Sequence, residues 1–166
     1  MSGPQAAAIE ALSTAQFIVR AIGERIGDAS ALKMCYGALN KGTQALWLHL
    51  LVAARRLGVH EVLEQQLQKS LRPLHDWSLR QLPPMPPKAY RWVPEMEEIA
   101  KTLESVGVTP RLFEGAADVY RFVAGTELGR ETPEQRDRSR TGTDVLRVLA
   151  DTALPAPPDP GGSSLS

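Results

Sequence analysis

A single cysteine, Cys35, occurs in 166 residues, so there is neither an intrachain disulfide framework nor a cysteine-based zinc cluster. Histidine is scarce too: His49, His60 and His75 are the full set, His60 and His75 have no acidic or sulfur neighbours at ligand spacing, and no metal site is expected. Charge of one sign is not in excess, with 19 Lys+Arg against 19 Asp+Glu, which removes the electrostatic footprint of a nucleic-acid binder. No run of about 18 uncharged apolar residues exists, so no membrane span is expected. The opening MSGPQAAAIEAL has no basic segment followed by an apolar core, and a soluble, cytoplasmic chain is expected. No GxGxxG follows a strand-like run, and no acidic residue is placed for a ribose hydroxyl. Dinucleotide binding by this polypeptide alone is therefore not expected.

What is present is apolar and helix-forming: 43% of residues are hydrophobic, although only 5% are aromatic. At this length one domain with a sizeable core is expected, and two full folds are not. Residues 4–14 read as a short helix with Pro4 in its first turn. TAQFIVRAIG follows, and its bulky Phe17, Ile18, Val19 and Ile22 before Gly23 predict a strand over 17–23. One strand needs neighbours for its backbone groups, so it pairs outside this chain or is the remnant of a sheet.

From Asp28 the chain runs about thirty residues without proline, and a long helix is predicted to Gly58, with Asp28 or Ser30 as its cap. Leu32, Tyr36, Leu39, Leu46, Leu50 and Leu57 keep helical spacing. Between Ala45 and Ala54 the helix is apolar nearly all round, which in so short a chain favours burial against a partner subunit. Residues 60–82 predict a second helical region that Pro73 kinks or splits, and PPMPP at 83–87 is a break. A third helix is expected over 94–106, turning Met96, Ile99, Ala100 and Leu103 inward and ending at Gly107. A fourth, over 110–124, places Leu112, Phe113, Ala116, Val119, Tyr120 and Val123 on an inward stripe. The domain reading is a helix–strand remnant over 1–27, a helical domain over 28–130, and a polar, largely disordered tail over 131–166 with at most a weak helix in TDVLRVLADTAL.

Chemistry concentrates early in the long helix. Lys33, Gly37, Asn40 and Lys41 fall within about 100° of one helical face, and a lysine partly desolvated between Leu32 and Met34 can move protons. Gly37 and Gly42 each cost about 1 kcal/mol relative to Ala in a helix, so something packs closely there: a ligand or another backbone. The alternative is a solvated lysine beside two helix-contact glycines. Cys35 reads as a small buried residue and His49 as a histidine satisfied in a helix interface. KAYRW, with Lys88, Tyr90, Arg91 and Trp92, could hold a phosphate or stack on a nucleotide, or could supply aromatics that close the core.

GDASALKMCYGALNKGTQALWLHLLVAARRLGV, MPPKAYRWVPEMEEIA and GAADVYRFVA together resemble the C-terminal helical domain of the β-hydroxyacid dehydrogenase superfamily. That superfamily includes phosphogluconate dehydrogenase, 3-hydroxyisobutyrate dehydrogenase and imine-reductase relatives, and the nearest likeness is to the putative phosphogluconate dehydrogenase, C-terminal-domain type. The resemblance covers about residues 2–130. It implies a mainly α, helical-bundle fold preceded by the last helix and strand of a Rossmann domain. Lys33 matches the family's general acid/base, while position 37 is Gly where the family carries Asn; Asn40, one turn on, is our own candidate replacement. Ser2-Gly3-Pro4 resembles the family's turn near the substrate. Ser30, Asn40 and Lys41 are then expected to line the substrate cleft, and Lys88 is the nearest counterpart of a cofactor-side lysine. The resemblance further implies NAD or NADP held by a Rossmann domain from elsewhere, a small hydroxyacid substrate and a homodimer through the helical domain. The competing expectation is a non-enzymatic helical scaffold derived from such a dehydrogenase.

Overall fold

A computed structural model describes residues 1–10, 12–16 and 18–153, and it is mainly α-helical, as expected. The chain opens with α1 (Ala6–Glu10) and continues through the dominant α2 (Asp28–Arg56), α3 (His60–Ser70) and α4 (Arg72–Gln81). A 3-10 turn (Pro86–Lys88) leads into α5 (Ala89–Glu104), followed by α6 (Arg111–Gly125), α7 (Glu127–Arg130) and α8 (Gly142–Asp151). No helix among the described residues is long and apolar enough to cross a membrane.

The predicted strand does not form: residues 18–23 carry no strand, and Phe17 lies outside the described residues. The segment nonetheless runs alongside residues 1–3 in the same direction. Met1 N donates to the Arg20 carbonyl (2.7 Å), Ile22 N–H to the Met1 carbonyl (3.0 Å) and Gly3 N–H to the Gly23 carbonyl (3.0 Å). Three bonds to so short a partner fall short of a ladder, because a lone pair of strands is marginal at best in water.

The start of α2 is not capped as expected. Gly27 precedes it in the left-handed region (φ 101°), and neither Asp28 nor Ser30 closes the end. Ser2 does so from a distance, its Oγ accepting from the Ala29 N–H at 3.0 Å, while Asp28 accepts from Arg25 Nε at 2.6 Å. The far end stops as predicted. Gly58 (φ 72°) lets its own N–H reach the Arg55 carbonyl and the Val59 N–H reach the Ala54 carbonyl, and Gly107 (φ 78°) ends α5 in the same way. Pro73 separates α3 from α4. The third predicted helix starts five residues earlier than expected, at Ala89, with Pro94 inside it. Pro94 and Tyr90 are both exposed, so water can satisfy the carbonyl that proline leaves free.

The α5–α6 hairpin forms one wall of the core and α2 with α8 the other. Trp47, Leu48, Leu51 and Val52 of α2 meet Met96 and Ile99 of α5, Phe113, Tyr120 and Val123 of α6, and Val145, Leu146 and Leu149 of α8. Leu112, expected inside, is exposed, because the buried stripe of α6 runs through Phe113, Ala116, Ala117, Tyr120 and Val123.

Residues 142–151 are core rather than tail. Thr141 and Asp144 form a reciprocal capping box, Arg140 pairs Glu131 through two bonds of 2.8 Å, and Val145, Leu146 and Leu149 are fully buried. Arg56 anchors the far end of α8, donating to the carbonyls of Leu149, Ala150 and Thr152. A short amphipathic segment carries little helical weight by itself, and packing is what stabilises it. The proline-rich run beyond it, 154–166, lies outside the described residues.

One face of α2 stays uncovered by the described residues. Leu32, Tyr36, Leu39, Thr43, Leu46, Leu50, Ala53 and Leu57 are spaced alternately four and three apart. Its six large side chains are between 51% and 75% exposed.

Candidate functional site

Two clefts flank the first half of α2, and Tyr36 lines both. The first, about 660 Å³, lies between the start of α2 and the N-terminal segment: Lys33, Leu32 and Tyr36 face Arg20, Ile22 and Ile18 across it. The second, about 580 Å³, runs between α2 and α4, where Leu39, Asn40 and Thr43 face Pro73, Leu74 and Trp77. Ser2 helps to form the first cleft by fastening residues 1–3 to the α2 start.

The four residues grouped on one face in sequence do not share one site. Lys33 lines the first cleft, and its side chain is exposed rather than partly desolvated, because Leu32 beside it is exposed too. Any desolvation has to come from outside the described residues. Asn40 lines the second cleft and accepts a hydrogen bond from Gln44 Nε2 at 2.8 Å. Lys41 points to α5, pairing with the Glu95 carboxylate while its ammonium lies 5.4 Å from the Trp92 ring centroid. Ser30 is exposed on the first turn of α2 and lines neither cleft. Lys88 is half-buried in the 3-10 turn, which packs on α5, α6 and α7, away from both clefts.

Gly42 answers the close-packing question: a Cβ there would lie 2.8 Å from Cε1 of Phe113, so what approaches is α6, not a ligand. At Gly37 the nearest atom is Ile99 Cδ1 at 3.7 Å, an ordinary contact. KAYRW likewise serves the core. Trp92 packs edge-on against Tyr120 (5.2 Å between centroids), and the Tyr120 hydroxyl donates to the Lys41 carbonyl at 2.7 Å. Burial, reinforced by the Glu95 charge, holds the Tyr120 phenol well above its ordinary ionisation range. Cys35 is exposed rather than buried, and His49 is exposed on α2 rather than enclosed, since the core lies on the opposite side.

His75 carries a surprise that spacing did not signal. It is 1% exposed on α4, beside Trp47, and neither ring nitrogen has a hydrogen-bond partner; the Asp76 carboxylate stands 3.9 Å from Nδ1. It lines neither cleft. Among the described residues no three His, Cys, Asp or Glu side chains gather at ligand distance.

Lys88 lines neither of these clefts, and the Ala29 N–H at the α2 start, which an anion could have used, is taken by Ser2. The first cleft places the exposed Lys33 amine beside the apolar side chains of Ile18, Ile22, Leu32 and Tyr36.

Residues 54–123 match a family described as a domain of unknown function, DUF1932. This domain is found in the C-terminal part of NAD(P)-dependent dehydrogenases of the 3-hydroxyisobutyrate-like kind. The match starts at the end of α2 and covers the helices through α6, leaving Lys33 outside it. A conserved hypothetical protein from Sinorhizobium meliloti 1021, solved as a crystal structure, is 27% identical. It superposes with a TM-score of 0.68 over 90% of this chain and 50% of its own length. The chain thus spans about half of that protein. No curated protein is significantly similar to this chain.

Proposed function

We propose that this chain is the substrate-binding and dimerisation part of an NAD(P)-dependent hydroxyacid dehydrogenase of the phosphogluconate or 3-hydroxyisobutyrate kind. The observation that carries this reading is the DUF1932 match across α3–α6, directly after the helix that presents Lys33 to a cleft. Lys33 is the general acid/base, exchanging a proton with the substrate hydroxyl in the first cleft. Ser30, Asn40 and Lys41 are the further substrate-side residues carried by the family resemblance. Asn40 and Lys41 reach that substrate only if a bound partner reshapes the surface, because Asn40 sits in the second cleft and Lys41 is engaged with Glu95. The nucleotide, NAD or NADP, is held by a Rossmann domain outside this chain, docked where Met1–Gly3 and residues 18–23 lie side by side.

The test has two parts. Isothermal titration of the chain alone and of the chain mixed with a Rossmann partner measures NAD(P)H binding, which is expected only in the mixture. In that assembly Lys33→Ala is expected to lower turnover at least 10³-fold, within the range of a lost acid–base group, without changing oligomeric state. Full activity in Lys33→Ala refutes the assigned role. Absence of nucleotide binding in every mixture favours a helical scaffold descended from such a dehydrogenase.

A further inference from the structure

We propose that the first cleft holds a small carboxylate with an apolar body, and that Arg20 is the residue that anchors its carboxylate. The identity of the site rests on the dehydrogenase reading; the role of Arg20 does not come from it.

Arg20 and Lys33 line the same cleft, and among the described residues no aspartate or glutamate lines it with them. Several other cations of the chain have a partner. Arg25 bonds Asp28, Lys41 Glu95, Arg55 Glu64, Arg121 Glu97 and Arg140 Glu131, while Arg56 is spent on three backbone carbonyls. Two like charges facing one recess repel each other, and an anion between them turns that repulsion into attraction. The remaining walls, Ile18, Ile22, Leu32 and Tyr36, favour an apolar body over a bare inorganic ion. A guanidinium offers a planar fork that pairs a carboxylate through two bonds, whereas a lysine amine acts as a point charge. Arg20 therefore suits the carboxylate and leaves Lys33 for the hydroxyl.

The backbone around Arg20 is held in place. Its carbonyl accepts from Met1 N, and the neighbouring Val19 is buried with its N–H on Ser13 Oγ at 2.9 Å. At the α2 start the Ala29 N–H is already bonded to Ser2 Oγ.

Proton–nitrogen NMR titration of the full chain with sodium isobutyrate, isobutyramide and inorganic phosphate tests this without cofactor. Isobutyrate is expected to shift amides of residues 18–22 and 29–36 with saturation, and isobutyramide and phosphate to bind at least tenfold more weakly. Arg20→Gln is expected to weaken isobutyrate at least tenfold with an unchanged melting temperature. Arg20→Lys should restore part of the affinity, and Arg80→Gln, elsewhere on α4, should leave it intact. Equal binding of the amide, tighter binding of phosphate, or unchanged affinity in Arg20→Gln overturns the proposal. The two readings fail separately. Arg20-dependent isobutyrate binding with no turnover in any assembly removes the dehydrogenase and keeps the anion site. Lys33-dependent turnover with an unchanged KM in Arg20→Gln does the reverse.

Discussion

Gly37 and Gly42 are five positions apart on α2 and face different surroundings, so the same substitution should act in opposite directions. At Gly42 a Cβ would press on the Phe113 ring at 2.8 Å, and the overlap outweighs the gain in helix propensity. Gly42→Ala is expected to destabilise the chain by about 1 kcal/mol in urea unfolding. At Gly37 the space is open to 3.7 Å, and Gly37→Ala is expected to stabilise by about 0.5–1 kcal/mol. Both glycines were visible in sequence as helix-weakening residues; which one touches a neighbour was not. Tyr120 offers a second residue-scale test. Its folded-state pKa lies above the ordinary value of 10.0, mainly through burial and then through Glu95. The unfolded chain ionises first as pH rises, so the stability tied to the neutral phenol is whole below pH 10 and is lost progressively above it. Tyr120→Phe should flatten this alkaline loss and, by removing the bond to the Lys41 carbonyl, cost about 1 kcal/mol at neutral pH. Denaturant melts at pH 7 and above pH 10 read both effects.

At the scale of elements, the helix stops were legible and the last helix was not. Gly58, Gly107 and Pro73 act through local chemistry: a left-handed residue turns the chain off the helix axis, and a proline without an N–H fits the first turn of α4. α8 has only ten residues, and its weight comes from Val145, Leu146 and Leu149 packing into a core assembled by distant segments. Its capping box reads plainly in retrospect as Thr141-x-x-Asp144. Thr141→Ala is expected to lower stability by about 1 kcal/mol, measured as a shift of the urea midpoint without a change in slope. The α2 start shows the opposite limit. Its cap is Ser2, which no local window of sequence connects to Ala29.

For the whole molecule, the uncovered face of α2 decides the expected assembly. Its four–three alternation is the heptad spacing that seats one helix along another, not the looser stripe of a helix on a broad core. A two-fold axis between Gln44 and Ala45 would set Tyr36 against the small Ala53, Leu39 against Leu50, and Leu32 against Leu57 in a second copy. Light scattering is expected to find a dimer, and Leu46→Glu with Leu50→Glu a folded monomer, since both side chains are about half exposed in the single chain. A wild-type monomer would overturn that arrangement.

Sequence by itself determined that the chain is helical, where its main helices end, and that Lys33 stands early on the longest of them. Those properties depend on local backbone preference and on periodicity, which neighbours along the chain carry. Only the tertiary structure decided that Lys33 shares a cleft with Arg20 while Asn40 and Lys41 turn elsewhere. It also decided that the leucines of α2 split between core and surface, and that residues 142–151 belong inside. The physical reason is the same in each case: periodicity says that a face is apolar or charged, and only the packing of segments distant in sequence says what that face meets.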